Sequence, residues 1–165
     1  MTNFIKLTFS ISCTLFALAS PIAANAQTSF PAYGAPISLR NAQAIISAAK
    51  VEAVKNKWAM AIAVVDTGGV LVAMERMDDT LVASGQIAID KARSANGFKR
   101  PTKALQDAVT SGFTPILSLS GATPIEGGIP VVVDGKIVGA VGVSGASAAE
   151  DGVVASASLA AIKNN

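Results

Sequence analysis

Histidine is absent from all 165 residues, and cysteine appears once, at Cys13. Without imidazole there can be no Ser-His-Asp triad, no histidine zinc site and no histidine-ligated haem iron. A single cysteine cannot close a disulfide within the chain, so stability must come from a packed core. A chain of about 150 residues can supply one, burying roughly two-thirds of its unfolded surface in a single domain. Charge is also sparse: Asp, Glu, Lys and Arg make up 15%, with 13 basic residues against 11 acidic. They are spread thinly, with no basic run able to follow a phosphate backbone, so nucleic acid is not an expected partner. What the chain has in excess is apolar residues, 51% of the total.

Part of that excess lies at the N-terminus. A lone charge at Lys6, an apolar stretch from Leu7 to Leu18, a break at Pro21 and a small-residue ending at Ala24-Asn25-Ala26 predict a secretory signal peptide over residues 1–26, cleaved before Gln27. A membrane anchor would need about 20 apolar residues, and Ser10, Ser12 and Thr14 interrupt this run. Cys13 falls inside the segment, too early for a lipoprotein site. The mature chain is therefore expected in the periplasm or outside the cell, without thiol or imidazole and with no membrane contact after cleavage. Losing Lys6 leaves 12 basic against 11 acidic residues, so long-range steering of a charged ligand would be weak.

Residues 27–37 place Pro31, Gly34 and Pro36 around Phe30 and Tyr33, the composition of an extended arm, one able to pack on a neighbour. Residues 38–165 read as one domain. A helix is expected from Ser38 as N-cap to about Lys57, because Leu39, Ala42, Ile45, Ile46, Ala49, Ala53 and Val54 keep a 3.6-residue period. From Trp58 the period becomes two. Trp58, Met60, Ile62 and Val64 share one face, while Ala59, Ala61, Ala63 and Val65 form a small-residue face on which a helix can lie close. Asp66-Thr67-Gly68-Gly69 then turns the strand back into residues 70–76. A second hairpin runs from Ile129 to Ser144 around Asp134-Gly135. Gly139 and Gly142 interrupt its second strand, which points to a close helix or a neighbouring backbone. Between the hairpins lie a helix from about Leu81 to Asn96 and a shorter one after Pro101 with Thr102 as candidate N-cap. The capping box Ser147-Ala148-Ala149-Glu150 opens a last helix ending near Lys163. The order α-β-β-α-α-β-β-α predicts an α/β (α+β) fold, with an antiparallel sheet of two hairpins covered by helices.

Four places could carry chemistry. On the central helix Ala88, Ala92 and Ala95 form a narrow face opposite Gln86, Asp90 and Arg93, and Lys91 falls on the border. Lys91 is either a solvated side chain or an ammonium directed into a tight interface or pocket, and Ile87 and Ile89 flank it where a subunit contact would cover them. The turn Glu75-Arg76-Met77-Asp78-Asp79 has three carboxylates, enough to hold a hard cation loosely if they are not simply solvated. Glu126-Gly127-Gly128 is either a plain turn or a loop whose amides meet a ligand. The stretch from Gly142 to Gly145 lacks both the Walker lysine and the dinucleotide fingerprint, so helix capping suffices there.

Several runs, taken in order, resemble the GlcG/HbpS-like family of haem-binding or haem-degrading proteins. They are Ala63-Val64-Val65-Asp66-Thr67-Gly68-Gly69, Glu75-Arg76-Met77-Asp78, Ile89-Asp90-Lys91-Ala92-Arg93, Gly128-Ile129-Pro130 and the stretch from Asp134 to Gly145, with Asp151 beyond. The resemblance spans nearly the whole mature chain. It implies a profilin-like sandwich, homo-oligomers, and haem or iron binding outside the cytoplasm. With no histidine, an axial ligand to haem iron would come from Tyr33, Met60, Met74, Met77, a lysine or water. Arg76, Lys91, Arg93 and Arg100 are candidates to pair the propionates. Any degradation would draw on the bound iron and peroxide. The alternatives are an enzyme or sensor for a small organic acid, using Lys91, Arg93 and the Glu126-Gly127-Gly128 loop as an anion site, or a structural oligomer without a ligand.

Overall fold

The computed structural model describes Met1 and residues 29–162. The expected signal peptide beyond Met1 and its cleavage site lie outside them, and the last helix ends at Ser158 rather than near Lys163, because the chain tightens into a 3-10 turn and Ile162 is extended. Within them the chain runs α1 (Leu39–Asn56), β1 (Ala61–Asp66), β2 (Leu71–Arg76), α2 (Ser84–Phe98), α3 (Thr102–Thr110), a 3-10 turn (Thr114–Ser118), β3 (Gly128–Val133), β4 (Lys136–Ser144), α4 (Ala148–Ser158) and a closing 3-10 turn (Leu159–Ala161). This is the order the sequence predicts. The four strands form one antiparallel sheet in the order β2-β1-β4-β3. Each hairpin contributes a neighbouring pair, and the pairs join where β1 meets β4.

The turns follow from residues that tolerate positive φ. Asp134 and Gly135 stand at φ +49° and +71°, as a tight two-residue hairpin requires. In the first turn the Asp66 carboxylate accepts the amides of Gly68 at 2.8 Å and Val70 at 2.9 Å, while Gly69 takes φ +76°.

The two faces of β1 are divided as the alternation predicts. Ile62 and Val64 join Ile45, Ile46, Ala49 and Ala53 of α1 and Val154 and Ala155 of α4 in the main core. On the other face Ala61 and Ala63 meet Ala88, and Val65 meets Ala92 and Ala95, all on α2. Glycine lets that helix approach closely: a Cβ on Gly142 would collide with the Ala88 carbonyl and lie 2.6 Å from the Ala92 nitrogen. Gly139 is pressed instead against the Val65 carbonyl of the neighbouring strand. The closed packing thus places α2 across β1, β4 and β3.

Three expectations about where elements start need correction. The first strand begins at Ala61, not Trp58, because the Trp58 amide is spent on the Ala53 carbonyl at the end of α1, at 2.9 Å. Helix α2 begins at Ser84, not Leu81; residues 81–83 form a turn that leaves Leu81 and Val82 exposed. The N-cap of α3 is Pro101, so Thr102 is the first helical residue and its hydroxyl is free for another task. The arm is extended, as its composition predicts, and lies along its own sheet. Tyr33 bridges in parallel to Ile137, the Gly34 and Ile37 amides donate to Ile137 and Val138, and the Ile137 amide donates to Ala32. Strand β4 extends past the last residue of β1, Asp66, which pairs with Gly139, and the arm occupies the place β1 leaves open.

Candidate functional site

Lys91 is buried, with 1% of its surface exposed. Its ammonium donates to Asp151 Oδ2 at 2.7 Å and to the Val143 carbonyl at 3.0 Å, joining α2, β4 and α4. The other Asp151 oxygen accepts the Ala146 amide at 3.1 Å, so this carboxylate also closes the loop ahead of α4. Burial pushes the Asp151 carboxyl above its ordinary value, outweighing the opposing pull of Lys91 and of the Ala146 and Gly145 amides.

The Glu126-Gly127-Gly128 loop lies directly over this pair. Gly127 has φ +126°, and a Cβ there would sit 2.6 Å from the Val143 carbonyl and 2.9 Å from both Lys91 Nζ and Asp151 Cβ. The Val143 amide in turn donates to the Gly127 carbonyl at 2.9 Å. Gly128 is pinned by Thr102, whose hydroxyl accepts its amide at 2.9 Å, and the Glu126 amide donates to Gln106 Oε1 at 2.8 Å. Above the loop opens a cleft of about 210 Å³ lined by Glu126, Gly127, Gly128, Pro101, Lys103, Ile129, Gly152 and Ser156. Of the residues proposed from sequence, the fold therefore brings Lys91 together with Glu126, Gly127 and Gly128.

A second group forms where the arm meets the end of α2. The Tyr33 hydroxyl donates to the Asn96 carbonyl at 2.8 Å, and Lys99 Nζ stands 4.2 Å from the centre of its ring. Arg100 lies over Phe30 at 4.6 Å, a second cation on an aromatic face. Arg93, three residues before Asn96, donates to the Gly69 carbonyl at 3.1 Å, while Asn96 Nδ2 reaches Thr67. Tyr33, Arg93 and Arg100 thus gather around the far end of α2, and Arg93 does not join the Glu126 loop. Arg76 belongs to neither group. It ends edge strand β2 opposite Ala61, three strands from β3, about 14 Å at ordinary strand spacing.

The methionines have other work. Met60 is fully buried in the main core, Met77 packs against that core, and Met74 packs against Ala61, Ala63 and Ala88 with its methyl at Gly85. The acidic turn is split: Glu75 pairs with Lys50 of α1 at 2.5 Å, and Asp78 and Asp79 are exposed. No three acidic, cysteine or histidine side chains converge as a metal site among the described residues. Sequence reading passed over Phe30, Lys99, Lys103, Gln106, Gly152 and Ser156. Only Lys99 had a local signal, as the residue beside Arg100; Phe30 reaches its group through the packing of the arm, and the others through the docking of α3 and α4.

This architecture has known relatives. The chain is 47% identical over 108 residues to Protein GlcG of Escherichia coli (strain K12), an alignment spanning 66% of this chain and 81% of that protein. The crystal structure of HbpS superposes with a TM-score of 0.74 at 29% identity, covering 79% of this chain and 93% of the other. A PduOC:haem complex superposes with a TM-score of 0.70 at 27% identity, covering 79% and 97%. Residues 37–160 match the family model described as haem degrading protein HbpS-like, and this chain belongs to that family.

Proposed function

We propose that this chain is an exported haem-binding protein that holds the tetrapyrrole at the corner between the N-terminal arm and the end of α2. One observation carries the reading: of Tyr33, Met60, Met74, Met77 and Lys91, only Tyr33 is exposed, with Lys99 over its ring and Arg100 over Phe30 of the same arm. The methionines are packed and Lys91 is paired with Asp151. A tyrosine oxygen is an established type of haem-iron ligand, and the Tyr33 oxygen keeps its lone pairs while its hydroxyl donates to the Asn96 carbonyl. Lys99 and Arg100 are suited to the propionate carboxylates, and Phe30 offers a flat apolar surface. A relative solved as a haem complex and a family described as haem-degrading support this choice.

The cleft over Lys91 is unsuited to the same guest. At about 210 Å³ it is smaller than the roughly 300–1,000 Å³ typical of pockets for drug-sized ligands. The organic-acid alternative needs an available cation beside the Glu126 loop, whereas the Lys91 charge is already neutralised by Asp151 and Arg93 points elsewhere. When bound, haem iron with peroxide would supply the oxidising chemistry for any ring cleavage. The protein's part is to bind, orient and shield.

The corner is open, so a second copy of the chain supplies its opposite wall. Phe113, Leu117, Leu119 and Ile125, exposed on the loop region between α3 and β3, are apolar surface that assembly would cover. Titrating haem into the purified protein is expected to raise a Soret band. Tyr33→Phe should shift that band, and Lys99→Ala with Arg100→Ala should weaken binding about tenfold or more. No Soret change, or a spectrum identical in Tyr33→Phe, would overturn the assignment.

A further inference from the structure

Glu126 makes no ion pair among the described residues, although Lys103 in the same cleft feels its charge at longer range. Its side chain lies along Gly152 of α4, where a Cβ would come within 2.7 Å of Glu126 Cγ and 2.8 Å of Cδ. Glycine at 152 is therefore what lets the carboxylate lie in the cleft. The nearby cations are engaged: Lys103 with Asp107 at 2.8 Å and 2.9 Å, and Lys91 with Asp151. No cation pairs with Glu126 among the described residues. Lys103 lines the cleft with its ammonium hydrogen-bonded to Asp107 outside the lining, so Lys103, Asp107 and Glu126 together carry one net negative charge, with Glu126 half-buried beside Pro101 and Ile129.

We infer that this cleft is a second ligand site, separate from the haem corner, which takes a small organic cation. An ammonium or guanidinium head would sit on Glu126, and a short apolar tail would lie against Pro101 and Ile129. A partly desolvated carboxylate is costly until a donor cation meets it. A metal ion is a poorer match, because a hard cation needs six or more oxygen ligands and no three acidic groups converge here. An anion is disfavoured by the sign of the remaining charge. The volume of about 210 Å³ sets the size class: a ligand of a few heavy atoms.

The test is an amide-resolved NMR titration of the nitrogen-15-labelled protein with methylguanidinium chloride, ethylammonium chloride and sodium acetate at constant ionic strength, without haem. Saturable shifts at Glu126, Gly127, Gly128 and Gly152 are expected with at least one of the two cations. They should be at least tenfold weaker in Glu126→Gln and weakened also in Gly152→Ala, which displaces Glu126 from its seat. Dispersed spectra of both variants would show that they remain folded. Shifts with acetate alone, no saturable shifts with either cation, or equal binding by wild type and Glu126→Gln would each overturn the inference. Because no haem is present, failure of the haem reading leaves this result standing.

Discussion

Lys91 and Asp151 show how costly one side chain is when its partner is missing. Taking both charges out of water is expensive, and at 2.7 Å their attraction and hydrogen bond offset much of that cost. Asp151→Asn should therefore cost about 3–5 kcal/mol in urea unfolding, because it strands a buried ammonium; Lys91→Met with Asp151→Leu together should recover most of it. A loss below about 1 kcal/mol in the single variant would show that water relieves the pair. The raised Asp151 carboxyl fixes the pH dependence. Above the ordinary carboxylate value the folded protein holds this proton more tightly than the unfolded chain does. Asp151's contribution to stability thus falls as pH rises through the window up to the folded value, and the double variant should lack that slope. At this scale the sequence was only half readable. Helical geometry put Lys91 at the border of the alanine face, and the base rate for charged side chains then favoured a solvated lysine over the buried one the structure shows. The deciding residue is 60 positions away, beyond the reach of any local pattern.

Elements were far more legible, because their signals are local. The Asp134-Gly135 turn, the alternating faces of β1 and the Ser147–Glu150 capping box can all be read within a few residues. The box forms as expected: the Ser147 hydroxyl accepts the Glu150 amide, and Glu150 accepts the Ser147 amide at 2.9 Å. Gly139 and Gly142 were also informative, since a strand has little other reason to carry them. Gly142→Ala should separate α2 from the sheet and cost about 1–3 kcal/mol or more, because the atoms it meets are backbone and cannot rotate away. Gly97, in the same helix with nothing within 4 Å of an added Cβ, is the control. Gly97→Ala should stabilise by about 0.5–1 kcal/mol. Thermal or urea unfolding of both variants checks the pair, and equal effects would mean that the close approach carries no energetic weight. Where elements were misjudged, a tertiary contact decided. Thr102 offered a plausible cap, but the structure spends its hydroxyl on Gly128.

At the scale of the whole molecule, two layers of helix cover a four-stranded sheet, and the arm completes its incomplete row. Composition predicted that the arm would be extended. It could not show that the arm would bind its own sheet, because the vacancy beside β4 exists only once β1 has ended. The exposed apolar side chains between α3 and β3 make assembly the expected state. Exported protein should have a mass starting at or near Gln27, and light scattering on that sample should give a multiple of the protomer. Leu117→Ser with Leu119→Ser should shift it toward the monomer. A retained Met1, or a monomer at all concentrations, would count against export or assembly respectively.

The Lys91–Asp151 tie has a further consequence for any chain delivered N-terminus first. At roughly 5–20 residues per second of synthesis, the 60 positions between the two mean that Lys91 waits about 3–12 s for its counterion. During that time α2 cannot settle onto the sheet without stranding an ammonium. A later segment therefore licenses the central one, and a chain truncated before α4 should stay loose across the middle of the molecule even with all four strands present.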